Sequence, residues 1–376
     1  MQIVKFLTFS LLIILVSCES DVPEVGVAIP DTYTFERDGS STVDFRGQTA
    51  RLDMLSEMKS YVVEGDAGKA VSRDLLLDMF GNQNSPFADE ELNATTKNLE
   101  SKTLISDVDY YKGLFAELER ASNAYVANPS EAMQGVSGLL QRGNTDRYIL
   151  VNEKGWEFTQ FIEKGLLGSV FFHQIFNVYL TESRIGPDVD NESLVEGNNY
   201  TAKEHHFDEA FGYWGVPVDF PDELAAADRR FWATYTYGRS SLTGSLDKLK
   251  SAFLYGRTAI VNSDQGAVDA AVAEIYLELE IMSVATAIHY LNSSLEDINA
   301  GDIGNLFHHL SEAYMFIRAI KVHPSPQLSV TEINEVLANG LGTEADFWTA
   351  DAALIRATKN TIVNAYPELA AVANDL

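Results

Sequence analysis

The sequence predicts an all-α fold of two packed helical bundles, with one short β-hairpin near the N-terminus. Three observations predict it. Most of the chain carries apolar residues at spacings of three and four, which places them on one face of a helix. Strict alternation of apolar and polar residues is confined to one short stretch. A histidine-rich pattern occurs twice, which suggests a pseudo-duplicated chain with approximate halves 48–200 and 201–376.

The elements follow in order. Residues 19–31, from Glu19-Ser20-Asp21 to Pro30-Asp31, are rich in acid, Pro and Gly and read as a tether. Tyr33–Arg37 and Thr42–Arg46 alternate apolar and polar residues around Asp38-Gly39-Ser40-Ser41. That is a hairpin signal and the only expected pair of strands. Thr49–Val62 carries Leu52, Leu55, Met58 and Val62 on one helical face. Asp107–Val126 does the same with Tyr111, Leu114, Phe115 and Leu118, and Asn128-Pro129-Ser130 is expected to end that helix and begin another. Glu153–Leu180 is apolar on more than one face, so it is expected at the centre. Further helices are expected over Glu223–Tyr237, Leu246–Asn262, Ala267–Leu291, Ile303–Val322 and Thr343–Ala365. Gly186–Tyr200 reads as a long surface loop. Within it Asp188, Asp190 and Glu192 resemble the start of a calcium loop, but Ser193 and Asn199 stand where that loop needs Gly and Glu.

The N-terminus has the pattern of an export signal. One charge, Lys5, precedes the apolar run Phe6–Val16, which is too short to span a bilayer. Leu15-Val16-Ser17-Cys18 then resembles a bacterial lipobox, and Cys18 is the only cysteine. The expected organisation is a signal peptide at 1–17, a tether at 18–32 and a helical domain at 33–376. Lipidation at Cys18 would leave no thiol for a disulfide or for nucleophilic catalysis. The 376 residues hold 27 Lys and Arg against 55 Asp and Glu, for a formal charge of −28. Such a field repels nucleic acid and attracts cations.

Six of the seven histidines lie in the repeated pattern. His205-His206-Phe207-Asp208-Glu209-Ala210-Phe211 matches His308-His309-Leu310-Ser311-Glu312-Ala313-Tyr314. Each copy follows an apolar helical segment with one more histidine, His173 and His289, and an acid precedes each of those, Glu163 and Glu280. Imidazole with carboxylate suits iron, zinc or manganese. The candidate metal ligands are His206 and Glu209, with His205, Asp208, His173 and Glu163 in support. His309, Glu312, His308 and His289 form a possible second set. The zinc-peptidase order His-Glu-x-x-His is lacking, and His-x-x-Glu inverts the Glu-x-x-His of di-iron bundles. A plain alternative stands beside this one: paired His and Glu at helix contacts often bond each other and the backbone as packing joints. Arg257 is expected as a buried partner of a carboxylate.

Several segments resemble a family of Bacteroidota lipoproteins whose domain is of unknown function. They are Gly47-Gln48-Thr49-Ala50-Arg51-Leu52, Lys154-Gly155-Trp156-Glu157-Phe158, Glu163-Lys164-Gly165-Leu166, His205–Tyr213 and Ala252–Arg257. That family is remotely similar to imelysin-like, iron-regulated envelope proteins. The resemblance implies two facing helical bundles, a Gly-x-His-x-x-Glu motif near their cleft, and iron-linked biology. His206-Phe207-Asp208-Glu209 supplies His-x-x-Glu, but Glu204 stands where the motif has Gly.

The resulting expectation is an outer-membrane lipoprotein, facing the periplasm or the cell surface and anchored through its lipid. It would bind iron, zinc or a metal complex for uptake, beside a TonB-dependent receptor. Two other roles remain: a metal-dependent peptidase-like hydrolase, with Glu209 or Asp208 as base, and a metal-free scaffold that docks a receptor or glycan.

Overall fold

The computed structural model describes residues 27–376, so the signal segment, Cys18 and the start of the tether lie outside the described residues. Helices dominate them, with two small two-stranded sheets. The first sheet pairs β1 (Glu36–Arg37) with β2 (Ser40–Ser41). Asp38 and Gly39 both take positive φ, 54° and 74°, the turn that twists a two-residue hairpin correctly. The second strand thus falls on Ser40–Ser41, inside the expected turn, and the expected strand over Thr42–Arg46 does not form: 42–45 is irregular and α1 (Arg46–Val62) begins at Arg46.

Helices α2 (Arg73–Gly81) and α3 (Glu90–Ala94) follow, each opened by a side-chain cap, Ser72 and Asp89. Helix α4 (Val108–Ala127) ends before Pro129 as expected, but no helix begins there. The chain instead forms a second hairpin, β3 (Gly138–Gln141) with β4 (Tyr148–Val151). Leu139-Leu140 and Tyr148-Ile149-Leu150-Val151 flank the turn residues Gly143-Asn144, a strand signal that outweighs the helix start implied by Pro129.

The central segment is as apolar as its sequence suggests. Helix α5 (Phe158–Leu166) runs into π-helical turns at Leu167–Phe172 and Ile175–Tyr179, and every residue from Phe158 to Phe172 is buried. It starts five residues later than expected, because Val151 still belongs to β4 and Gly155 makes a turn at φ 83°. A short α6 (Glu182–Ile185) leads into the loop, where Asp190 accepts the Glu192 and Ser193 amides at 2.8 and 3.0 Å. Asp190, the middle of the three calcium-like acids, thus serves a local turn.

Helix α7 (Ala202–Trp214) opens with a capping box between Thr201 and Glu204. Helix α8 (Trp232–Thr243) begins nine residues after the expected start, since Phe231 takes a positive φ and turns its ring onto Phe171. Then come α9 (Ser245–Val261), α10 (Gln265–Ala300) and α11 (Ile303–Ile320). Helix α10 runs nine residues past the expected Leu291, to a left-handed Gly301. The C-terminal part holds α12 (Val330–Glu335) and α13 (Ala352–Ala365). The latter starts at its Asp351 cap, because Thr343–Thr349 is taken up in tight turns that bury Phe347.

Helices α1, α5, α11, α10, α9 and α7 pack in succession, and α7 returns to α1, which closes a ring. The hydrophobic core is continuous from Tyr33 to Leu376, so both halves of the chain share it. Where α7 crosses α1 the backbones nearly touch. A Cβ on Gly212 would lie 2.5 Å from Phe45 Cβ and 3.0 Å from Gln48 Cβ. No described helix is long and apolar enough to cross a membrane.

One polar group ties the N-terminal segment to this ring. Arg257 of α9 is fully buried. Its Nε donates to Asp208 at 2.9 Å, Nη1 to Glu204 at 3.1 Å and Nη2 to the Thr42 hydroxyl at 2.9 Å. Tyr33 adds its hydroxyl to Asp208 at 2.9 Å and stacks on Phe211. Removing one member strands buried charge, which typically costs about 3–5 kcal/mol. Arg257→Met is expected to lower unfolding free energy by about that much, and Tyr33→Phe by about 1 kcal/mol. Urea unfolding monitored by tryptophan fluorescence measures both, and a loss below that of Tyr33→Phe would remove Arg257 from this role.

Candidate functional site

The first histidine pair sits on α7 beside a cleft. Glu209 accepts from Gln48 Nε2 of α1 at 2.9 Å. His206 Nδ1 lies 3.2 Å from the other Glu209 oxygen, and His205 Nε2 lies 3.9 Å from the first. Burial opposes the Glu209 charge, but His206, His205 and Gln48 overcome it and hold the carboxyl below its usual range. Burial lowers His205 despite Glu209, so its imidazole is neutral at pH 7. Its ring stacks on Tyr200, with centroids 4.4 Å apart.

His205 and Glu209 line a cleft of about 420 Å³, within the usual range of small-molecule sites. Its walls are Asp44, Arg46, Gly47, Gln48, Ala50 and Arg51 from the start of α1, Thr95 and Lys97 from the loop after α3, Lys102, and Tyr179 and Tyr200. The π-helical turn at Ile175–Tyr179 positions the Tyr179 hydroxyl 3.2 Å from Lys102 Nζ and 3.4 Å from Gln48 Nε2. Such turns often accompany functional sites.

The other members of the first expected set are placed elsewhere. His206 backs Glu209 and approaches Arg184 at 3.4 Å, rather than lining the cleft. Asp208 faces the opposite way, into the Arg257 network, where burial raises it to about 6 against the guanidinium. Glu163 is held by Lys59 and Lys164, each at 2.9 Å. His173 lies on the side of Asp107, whose carboxylate accepts from Ser169 and pairs with Arg318. The reason is helical geometry. Asp208 and Glu209 are adjacent and so point about 100° apart, and the π-helical turns between Glu163 and His173 shift the register that an α-helix would give. Among the described residues, no group of three or more His, Cys, Asp and Glu side chains is placed to hold a metal ion.

The second pair forms a buried polar chain instead. His308 Nδ1 lies 2.7 Å from Glu157 and its Nε2 lies 3.3 Å from Glu312. Glu312 is 3.7 Å from Lys164, which pairs with Glu163, which pairs with Lys59. His309 bonds Asp297 at 2.6 Å. His289 is pushed down to about 4 by burial and by Arg239 and His309. Glu280 accepts from Tyr366 at 2.6 Å and from the Gln327 amide at 2.8 Å. In this copy His308, Glu312 and Glu280 spend their polar atoms on one another and on neighbouring segments, and Glu163 of the first set joins the same chain.

The sequence reading missed most of the cleft: Asp44, Arg46, Gln48, Arg51, Lys97, Lys102 and Tyr179. Gln48 and Arg51 are three apart, on one face of α1, within the segment that carried the family resemblance. Lys97 and Lys102 left no local signal.

The family follows from the chain as a whole. The profile of a domain of unknown function, DUF4856, matches residues 30–372. This chain belongs to that DUF4856 family. No curated protein and no solved structure matches it. The DUF4856 match covers the hairpin, the cleft and both histidine pairs.

Burial pushes Glu157 up to about 7, and pushes Asp66 up to about 8 with the Glu157 charge adding to it. Burial pushes His308 down to about 3. One proton then serves each contact. Below about pH 7 the Glu157 O–H donates to His308 Nδ1, and His308 Nε2–H donates to Glu312. The folded chain holds carboxyl protons that the unfolded chain releases near pH 4, so their contribution to stability falls as pH rises from about 4 to about 8. His308 acts the other way, since the unfolded chain takes up its proton near 6.5, and stability is lost as pH drops from there to about 3. Glu157→Gln keeps a donor for Nδ1 without an ionisable proton. It is expected to raise the melting temperature at pH 8 by a few degrees and change it little at pH 5. Melts between pH 4 and pH 9 test this, and parallel curves for parent and variant would contradict it.

Proposed function

We propose that this chain is an envelope-anchored binding protein, and that the cleft beside His205 and Glu209 holds its ligand. In this reading Cys18 carries the lipid, the tether places the domain off the outer membrane, on its periplasmic or outer side, and a TonB-dependent receptor is the natural partner. The lipobox-like Leu15–Cys18 and the similarity to imelysin-like, iron-regulated envelope proteins support the location and the link to metal uptake. The observation that carries the binding role is the cleft itself, which lies against the one histidine pair whose Glu209 is not consumed by an ion pair with lysine or arginine.

The metal is expected to arrive in a complex. His205 and Glu209 offer two donors at the cleft, and a tight site needs three or four. A chelating ligand would supply the rest, whether the metal is iron or zinc. His206 then orients Glu209 from behind.

The full chain, purified without a histidine tag, is dialysed against Fe(III) citrate, unchelated Fe(III) or Zn(II), and bound metal is measured by elemental analysis. Retention near one equivalent is expected with the citrate complex. His205→Ala/Glu209→Ala is expected to lose about tenfold or more in affinity, which corresponds to about 1.4 kcal/mol. Metal retained equally by parent and variant, or by neither under any of the three conditions, would overturn the proposal.

A further inference from the structure

The cleft is a cationic spot on a strongly acidic protein. Arg46, Arg51, Lys97 and Lys102 line it against Asp44 and Glu209, a local surplus of two positive charges on a chain of formal charge −28. The surplus is not spent on neighbours. Arg46 neutralises Asp44 with bonds of 3.0 and 2.7 Å. Among the described residues, Arg51, Lys97 and Lys102 have no carboxylate within ion-pair distance. Other described Lys and Arg also lack such a partner, among them Arg142, Lys203 and Lys250; what marks this cleft is that three of them gather on one concave surface.

Each is held in place by groups other than an acid. Arg51 is buried, and its Nε and Nη1 donate to the carbonyls of Asn98 and Gly47 at 2.8 and 2.9 Å. That fixes a positive charge behind the cleft wall. Asn82 pins the loop bearing Lys97 by donating to the carbonyls of Leu92, Thr95 and Lys97 at 2.9, 3.0 and 2.8 Å. Gln174 donates to the Lys102 carbonyl at 2.9 Å, and the half-buried Lys102 ammonium meets only the Tyr179 hydroxyl. Burial and then the Arg51 charge depress Lys102, the behaviour of an ammonium facing other cations. The fully buried Tyr213 hydroxyl lies close enough to Arg51 and Glu209 to feel both charges. Glu209 remains as an acceptor at one end.

We propose that the cleft is an oxyanion site: Lys102 and Lys97 grip a carboxylate or phosphate of a small ligand, over the fixed charge of Arg51. Glu209 accepts a hydroxyl or amine of the same molecule, so the favoured ligand is a small oxyanion that also carries a hydrogen-bond donor. A fixed ring of donors and cations around a concave site is how proteins select such anions. The inference rests on the reading that this cleft is the ligand site, and it turns that reading toward anionic ligands and anionic metal complexes rather than bare cations.

The test is calorimetric titration of the metal-free full chain with citrate, with inorganic phosphate and with choline as a cationic control. Citrate carries the donor hydroxyl and phosphate does not, so the two separate a hydroxycarboxylate from a simple phosphate ligand. At least one anion is expected to bind, citrate more tightly, and choline not at all. Raising salt to about 0.5 M is expected to weaken binding, since it screens the cleft's charge. Lys102→Met and Lys97→Met are each expected to weaken it by about tenfold, with circular dichroism confirming that both variants fold. Lys102→Arg, which restores the charge, is expected to recover part of the affinity. Absence of anion binding, or binding unchanged in both methionine variants, overturns the inference. Absence of anion binding alongside retention of unchelated Fe(III) or Zn(II) overturns it while leaving the binding role intact. Loss of both anion and metal binding removes the binding role as well.

Discussion

The buried Arg257 guanidinium is the constraint on which the rest of the site depends. It sits where α9, α7 and the N-terminal segment meet, and gives one donor set to each of Asp208, Glu204 and Thr42. A charge at that depth is stable only if each contact is made. Asp208 and Glu204 fix the rotation of α7 about its axis, because both must face inward. His205 and Glu209 then face outward toward α1. Thr42 fixes the end of the hairpin, and Asp44 and Arg46 follow two and four residues later on the cleft wall. Asp208 was expected at a metal. Its structural role is to set where the neighbouring Glu209 points.

The fold was legible in the sequence because its signals are local. The periodicity of α1, α4, α9 and α11 marks their ends to within about three residues, and the apolar run after Phe158 marks a buried helix. The elements that were misread depend on contacts from afar. The Gly138–Val151 hairpin packs against α4 and α11, and its short strands compete poorly, as a pattern, with the proline before them. The start of α8 depends on Phe231 reaching Phe171, which no local rule supplies. The cleft was legible only in part for the same reason. His205 and Glu209 announce themselves by spacing. Lys97, Lys102 and Tyr179 come from three separate segments, and only the packed ring brings them together.

The two copies of the histidine motif differ because of what surrounds them. On α11 the motif packs against α5, and Glu157, Lys164 and Glu163 are at hand to pair every charge. A polar chain of this kind is high in cost if any link is missing and gives specificity when all are present. On α7 the same spacing meets α1, where Gly212 lets the two backbones close in and only the neutral Gln48 reaches Glu209. One helix face became a packing joint and the other kept an open rim. Duplication of sequence therefore does not imply duplication of role.

The placement of charge makes the same point at the scale of the molecule. An acidic protein lowers its electrostatic energy by pairing bases with acids, and Arg37, Lys59, Lys112, Arg120, Lys248 and Arg257 are paired in this way. Arg51 could gain the same stabilisation and instead bonds to two backbone carbonyls. Carbonyl bonds orient a guanidinium without cancelling its charge, whereas a carboxylate would do both. Asn82 and Gln174 treat the Lys97 and Lys102 backbones alike, holding position with neutral groups. The surrounding field of negative charge opposes this attraction at long range, so a cation left uncancelled there draws an anion only at short range. In the proposed reading an anion is therefore drawn in only once it reaches the cleft mouth. Such a site would discriminate by charge and size together, and the neutral scaffolding under each cation is what keeps that discrimination in the folded chain.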